Sequence, residues 1–290
     1  MHRKPVVAGR FYPDIKEQCI NELKECLEKE RLTQKIEGKI SGGIVPHAGW
    51  VYSGSTAGLV FQAIKEGHTS PVFVIFGAVH VYGVPGPAIF AEGSWETPLG
   101  EIEIHQDLSE EIIKEGKGFI VEDISPHRKE HSIEVQLPFI KYLFPESKIV
   151  TIMVPPDKNA LAVGEIVGKI LSNYKEDCVV VGSTDLTHYG MHYGQMDKGV
   201  GKDALHWVKN VNDKRLVDLI IALKAEDVVS EADSHGSACG AGAITATIAA
   251  VRLLGAKEGK LLKYTTSYDE IPSFGDPSSF VGYSAVVFTG

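Results

Sequence analysis

Residues 72–80 have the sequence VFVIFGAVH, an apolar run that ends at a glycine and is followed by a histidine. A run without alternating polar residues predicts a strand buried on both faces, as in a parallel sheet covered by helices. Comparable runs occur at residues 43–46, 148–154 and 179–181. Helical patterns separate these runs, so the sequence predicts an α/β fold with a largely parallel central sheet flanked by helices.

The remaining segments continue this pattern along the chain. Residues 101–104 alternate between polar and apolar side chains and predict a half-exposed strand, while residues 280–288 predict a final strand. Helices are predicted at residues 14–30, 53–65, 159–173, 202–209, 213–224 and 241–254. No repeat, low-complexity tract or linker divides the 290 residues, so we expect a single domain, 1–290.

The composition indicates a globular protein and argues against several classes of partner. A formal net charge of −9 and the lack of dense basic runs disfavour a nucleic-acid binder. The N-terminus has no secretory signal pattern, and the longest uncharged stretch, residues 234–251, is too rich in small residues to favour a membrane span. We therefore expect no nucleic-acid or membrane partner and a cytoplasmic location, where the four cysteines stay reduced.

Four histidines and one cysteine lie where apolar runs give way to turns. They are His47, His80, His131, His188 and Cys239. Side chains at strand ends of an open α/β sheet converge on one crevice, so this dispersed set predicts a metal or redox centre assembled by the fold. The alternative for each residue is a turn or core position without a ligand role.

Two acid–histidine pairs have a spacing of three. Asp185 and His188 share a face if a helical turn begins between them, and the carboxylate could then orient the imidazole. Otherwise Asp185 is a helix N-cap. His131 and Glu134 have the same spacing at the start of a predicted helix, where Glu134 could instead have a capping role.

Cys239 lies directly before a predicted helix, and a helix N-terminus promotes the thiolate that binds metal or reacts. His235 could join it as a ligand or supporting residue, although its segment also resembles a loop. Trp50 and Tyr52 are expected to form the rim of the pocket. Two histidines and a cysteine are suitable ligands for Fe(II), Cu or Zn, and this ligand set does not discriminate among the three metals.

With these residues identified, the chain resembles the Memo family, which is widespread in archaea and bacteria. The matching segments run in family order over nearly the whole chain. They are AGRFYP at 8–13, PHAG at 46–49, YSG at 52–54, GAVH at 77–80, EHSIE at 130–134, LP at 137–138, STD at 183–185 with His188, and CG at 239–240.

The resemblance implies a fold like that of the class III extradiol ring-cleaving dioxygenases, which bind non-haem iron through two histidines and a carboxylate. Carried over by position, His47, His80 and Cys239 would be the metal ligands or would line the site, and His188, oriented by Asp185, would be the acid/base. Cys239 stands where those enzymes have the carboxylate, so their facial triad is not intact. Val81 replaces a histidine that the family often has after His80.

The resemblance also implies iron or copper, with zinc as the alternative, and no nucleotide cofactor. His131 and Glu134 would shape the site without an assigned ligand role. Archaeal family members resemble components associated with radical-SAM proteins, which would make such proteins partners of this chain.

Two functions from different classes fit these residues. The first is a metal-dependent oxidoreductase of unknown substrate, with proton transfer through His188. The second is a non-catalytic module that binds a peptide or small molecule in the same pocket. A third reading, an inert scaffold, needs a separate explanation for each of the five strand-end residues.

Overall fold

The structure is a computed structural model and describes residues 1–272 and 276–290. The strands are β1 (His2–Arg3), β2 (Ile40–Val45), β3 (Val72–Gly77), β4 (Ala88–Phe90), β5 (Ser94–Thr97), β6 (Gly100–Glu103), β7 (Val121–Glu122), β8 (Ile149–Met153), β9 (Cys178–Ser183), β10 (His188–Gly190), β11 (Glu258–Thr266) and β12 (Ser279–Thr289).

Helices occupy most of the segments between the strands. They are α1 (Lys16–Lys29), α2 (Trp50–Gly67), α3 (Gln106–Gly116), α4 (Leu137–Leu143), α5 (Ala160–Leu171), α6 (Lys202–Trp207), α7 (Asp213–Ile221), α8 (Ala225–His235), α9 (Ala241–Leu253) and α10 (Ser267–Glu270). A π-helical turn, Val208–Asn212, joins α6 to α7. Within the described ranges, no helix is long and apolar enough to cross a membrane.

Among the described residues, nine strands form one large sheet with the order β10-β12-β2-β9-β3-β8-β4-β7, and β11 pairs with β12. The four central strands, β2, β9, β3 and β8, are parallel to one another. Antiparallel strands flank this centre on both sides. The predicted α/β class with a largely parallel central sheet is confirmed.

Both faces of the central sheet are covered, as the unbroken apolar runs require. In β3, Val74 and Phe76 belong to the core formed with α5 and α9, whereas Phe73 and Ile75 belong to the core formed with α1, α2 and α4. Because neighbouring strand residues point to opposite faces, one strand contributes to two cores. The molecule therefore has three layers, with the sheet between two layers of helices.

Two local alternatives that the sequence left open are not observed. The Asp185–His188 segment does not form a helical turn, since Leu186 N–H donates to Gly282 O and Gly282 N–H donates to Thr187 O, which extends this segment toward β10. His235 lies at the end of helix α8 rather than in a loop. In both segments, contacts with residues distant in the chain override the local pattern.

His127 is a buried histidine behind the small sheet of β1, β5 and β6. Its side chain lies against the rings of Phe90 and Trp95, and its Nε2 is 3.1 Å from Ala88 O. Burial lowers the pKa of His127 to about 4, from an ordinary 6.5. In the unfolded chain His127 takes up a proton near pH 6.5, at a higher pH than in the folded protein. The stabilisation that comes from its lowered pKa is therefore complete above pH 6.5 and is lost as the pH falls toward 4.

Between pH 7 and pH 4, the free energy of unfolding should fall by about 3 kcal/mol more in the wild type than in a His127→Gln variant. Urea unfolding at a series of pH values measures this difference. His2→Gln provides a control for the substitution itself, since it replaces an exposed histidine and removes no buried side chain. An unchanged pH dependence in His127→Gln would show that another group causes the acid loss.

Candidate metal centre

Three strands end side by side beneath the candidate site. β2, β9 and β3 are adjacent and parallel, so their carboxyl ends lie at the same edge of the sheet. The segments that follow these strands carry His47, Asp185 and His80, respectively. The sheet thereby brings together side chains that are far apart in the sequence.

Three imidazoles meet at this edge. His47, His80 and His131 each offer a ring nitrogen, and these nitrogens lie within 4.8 Å of one another. The ring centroids are 5.1 Å apart for His47 and His80, 5.4 Å for His47 and His131, and 4.9 Å for His80 and His131. This cluster could hold a metal ion. His131, which the sequence left without a ligand role, is the third member.

The orientation of His47 is fixed by two partners. Its backbone N–H donates to Asp185 Oδ1 at 2.7 Å, and its Nδ1 lies 3.0 Å from Ser183 Oγ. Because Ser183 Oγ donates its own proton to Ser132 O, the hydrogen-bond network assigns the ring proton of His47 to Nδ1. Burial lowers the pKa of His47 well below its usual value, as do the neighbouring His80 and His131. Its Nε2 therefore carries no proton and is free to coordinate a metal ion.

Glu130 supports the other two histidines, and sequence reasoning gave it no role. One of its oxygens accepts the His80 backbone N–H at 2.7 Å, and the other lies 2.9 Å from His80 Nδ1. The second oxygen also accepts the backbone N–H groups of His131 at 2.8 Å and Ser132 at 2.9 Å. A carboxylate on the far nitrogen of a ligand histidine fixes the ring and raises its basicity. The only sequence signal was its position directly before His131.

These contacts set the charge of the site. Burial alone would raise the pKa of Glu130, but the hydrogen bonds and charge of His80 outweigh it and lower that pKa. Burial disfavours the charged form of His80, whereas Cys239 and Glu130 favour it and raise the pKa of His80. Burial lowers the pKa of His131. Glu130 is thus a permanent negative charge beneath the imidazoles.

Cys239 lies beside this cluster. Its Sγ is 3.3 Å from His47 Nε2 and accepts the backbone N–H of Asp185 at 3.3 Å. Gly240 lets the chain beside Cys239 approach the end of β9 closely, because a Cβ at residue 240 would lie 2.6 Å from Ser183 O. Burial raises the pKa of the Cys239 thiol, contrary to the expected effect of the helix N-terminus. A bound cation would reverse this preference, since metal coordination deprotonates a thiol.

Asp185 and His188 both line the cavity, but Asp185 is not the orienting partner predicted for His188. Asp185 accepts the His47 backbone N–H, whereas His188 Nδ1 lies 3.0 Å from Leu186 O. A carbonyl can only accept, so Nδ1 of His188 carries the ring proton and Nε2 does not. Burial lowers the pKa of His188 and raises that of Asp185 to about 7.

A cavity of about 590 Å³ opens above the imidazoles. Arg10 and Phe11 of the N-terminal segment form part of its wall, and the half-exposed Tyr52 and Tyr193 form another part. Tyr52, which was expected at the rim of the pocket, lies in the cavity wall. Apolar walls with a few convergent polar groups are typical of small-molecule sites.

Trp50 does not line the cavity. The indole is 2% exposed, stacks on Tyr12 and packs against Phe139. Its Nε1 donates to Val135 O at 3.3 Å. Trp50 therefore supports the wall from behind.

Glu134 and His235 lie apart from the imidazole cluster. The Glu134 carboxylate points toward the N-terminal segment, where it accepts hydrogen bonds from Arg3 and Tyr12. His235 is exposed and lies 3.1 Å from Glu231 on the same helix. Neither geometry brings a donor atom to the three imidazoles.

Comparison with known proteins agrees with this geometry. A family model described as "Memo-like protein" matches residues 3–287. The MEMO1 family protein of Pyrococcus horikoshii is 33% identical over 99% of both chains, that of Methanopyrus kandleri is 35% identical over 99% of both, and that of Methanosarcina mazei is 34% identical over 98% of both. Matches of this length and identity, together with the family model, show that the chain belongs to the Memo family.

Proposed function

We propose that this protein is a metal-dependent oxidoreductase that binds iron or copper through His47 and His80, with Cys239 and His131 as the adjacent donors. The observation that carries this proposal is the group of three ring nitrogens within 4.8 Å at the base of the cavity. Three protein nitrogens around one point, open to a cavity, resemble catalytic rather than closed structural metal sites.

The residues fit a metal ion in their positions, and His80, whose charged form is favoured in the metal-free site, would release its second ring proton on binding. His47 Nδ1 and His80 Nδ1 are already held by Ser183 and Glu130, which leaves the other nitrogen of each ring available. Mixed imidazole and thiolate donors suit iron and copper, although zinc accepts the same donors. When bound, iron or copper would supply one-electron chemistry at the base of the cavity.

The surrounding side chains would bind and position the substrate and move protons. His188 presents an unprotonated Nε2, because Leu186 O holds its Nδ1 proton, and can accept a proton from a substrate in the cavity. Glu130 and Asp185 hold the backbone N–H groups of His80 and His47 in place. Phe11 and Tyr52 supply apolar surface in the cavity wall against which a substrate could pack.

Anaerobic reconstitution tests the proposal. The protein is loaded with Fe(II), Cu(I) or Zn(II), and oxygen uptake is followed with ascorbate, which supplies two electrons and two protons per O₂ reduced to H₂O₂. We expect the iron or copper form, but not the zinc form, to consume oxygen faster than the free metal. A His188→Gln variant should lower this rate by about a hundredfold without lowering the metal content.

A different result would favour the binding module. If the loaded protein is redox-inert in both metal forms, while the cavity still takes up a peptide or small molecule, the oxidoreductase proposal is wrong. A Tyr193→Phe variant is the control for His188→Gln. The Tyr193 ring contacts His188 at the cavity wall, and this substitution leaves the imidazole of His188 in place.

A further inference from the structure

The residue before His188 is held through all of its polar groups. Thr187 N–H donates to Asp213 Oδ1 at 3.0 Å, and the Thr187 hydroxyl donates to the same oxygen. The hydroxyl oxygen accepts from Asn212 Nδ2 at 2.9 Å, and Thr187 O accepts from Gly282 N–H at 3.0 Å. These hydrogen bonds hold the segment in place directly before the short strand β10.

The carboxylate in this network is deeply buried. Asp213 has no exposed surface, and its second oxygen accepts the Tyr264 hydroxyl at 2.6 Å. A Cβ at position 282 would lie 2.0 Å from that oxygen, so Gly282 is what lets the carboxylate approach β12. Burying a carboxylate is costly unless its oxygens are hydrogen-bonded, and here both are. Asp213 comes directly after the π-helical turn, and such turns are often found at functional sites.

Asn212 extends the network toward the other side of the site. Its amide nitrogen also donates to His235 O at 3.0 Å, four residues before Cys239. Arg215 donates to Asn212 Oδ1 at 2.6 Å, which assigns the amide so that its nitrogen faces Thr187. The network thus connects the segment that carries His188 to the segment that leads to Cys239.

We infer that Asp213 is a positioning residue for His188, acting through Thr187, and that Asn212 ties the same network to the Cys239 segment. Leu186 O and the His188 ring lie on either side of Thr187, so the backbone angles of Thr187 set the distance between them. Fixing those angles maintains the Nδ1 hydrogen bond and keeps Nε2 available at the cavity. The inference rests on the proposed proton-transfer role of His188.

The test is the tautomer of His188, measured by ¹⁵N NMR on the metal-free full chain. We expect a single Nδ1-protonated form in the wild type and a mixture of tautomers in Thr187→Val and Asp213→Asn. Thr187→Ser retains the hydroxyl and should restore the wild-type signal. Thr151→Val is the matched control, because it makes the same change at a buried threonine of β8, outside this network, and it should keep the wild-type tautomer.

Two results would overturn the inference. One is an unchanged tautomer in Thr187→Val, which remains informative even if Asp213→Asn does not fold. The other is an equal disturbance in Thr151→Val, which would indicate a general loss of stability. Because this readout needs neither metal nor turnover, a failure of the oxygen-uptake experiment would leave it unaffected.

Discussion

Replacing His80 with alanine is expected to abolish stoichiometric binding of Fe(II) or copper. The change removes one of the three clustered ring nitrogens and leaves Glu130 buried without its imidazole partner. Loss of a supporting residue alone lowers metal affinity by about 10–100-fold, so loss of a ligand should exceed about a hundredfold. Isothermal titration under anaerobic conditions, with elemental analysis of the dialysed protein, measures the change.

Graded variants test whether the effect has the proposed origin. Glu130→Gln keeps the shape of the support but removes its charge, so we expect a loss of about 10–100-fold. His47→Ala should match His80→Ala, and the relative losses in His131→Ala and Cys239→Ser show which neighbouring donor completes the site. His192→Ala, an exposed histidine, should bind metal like the wild type. Wild-type affinity in both His47→Ala and His80→Ala would refute the proposed ligands.

Replacing Glu134 with alanine is expected to destabilise the fold by about 3–5 kcal/mol. The carboxylate is 1% exposed and accepts from Arg3 Nη1 at 2.8 Å, from the backbone N–H groups of Val6 and Val7 at 2.9 Å, and from the Tyr12 hydroxyl at 2.9 Å. Without it, the buried guanidinium of Arg3 loses its ion-pair partner. Urea unfolding at neutral pH measures the loss.

An exposed ion pair provides the control for Glu134→Ala. Lys214 and Asp218 form such a pair on one helix, and Lys214→Ala should cost less than about 1 kcal/mol. The N-terminal segment should also become sensitive to proteolysis in Glu134→Ala, since the carboxylate accepts hydrogen bonds from four of its residues. A cost no greater than that of Lys214→Ala would mean that other contacts hold this segment.

The central sheet could be predicted from the sequence because its strands are buried on both faces. Unbroken apolar runs such as residues 72–76 have few other structures available in a chain with intervening helices. β11 was missed, since Lys260 and Lys263 interrupt its apolar residues and its pairing partner is the distant β12. The helix α8 was missed because only a narrow stripe containing Val228 and Ala232 is buried.

The site was only partly predictable for a related reason. His47 and His80 could be placed because both follow strands of one parallel sheet. Glu130 stands in a charged segment typical of a solvated surface, and only the fold buries it between two imidazoles. Trp50 was expected at the rim, yet its position at the start of α2 turns it toward Tyr12 and Phe139. The cytoplasmic location and the radical-SAM partners stay predictions.

Anomalous diffraction from a crystal of the anaerobically metal-loaded protein tests whether the imidazole cluster binds a metal ion. Data collected on both sides of the iron or copper absorption edge locate the ion without reference to the sequence. We expect one strong peak within about 2.0–2.3 Å of ring nitrogens of His47 and His80. A fully loaded crystal whose peak lies elsewhere, with none among the three imidazoles, would contradict it.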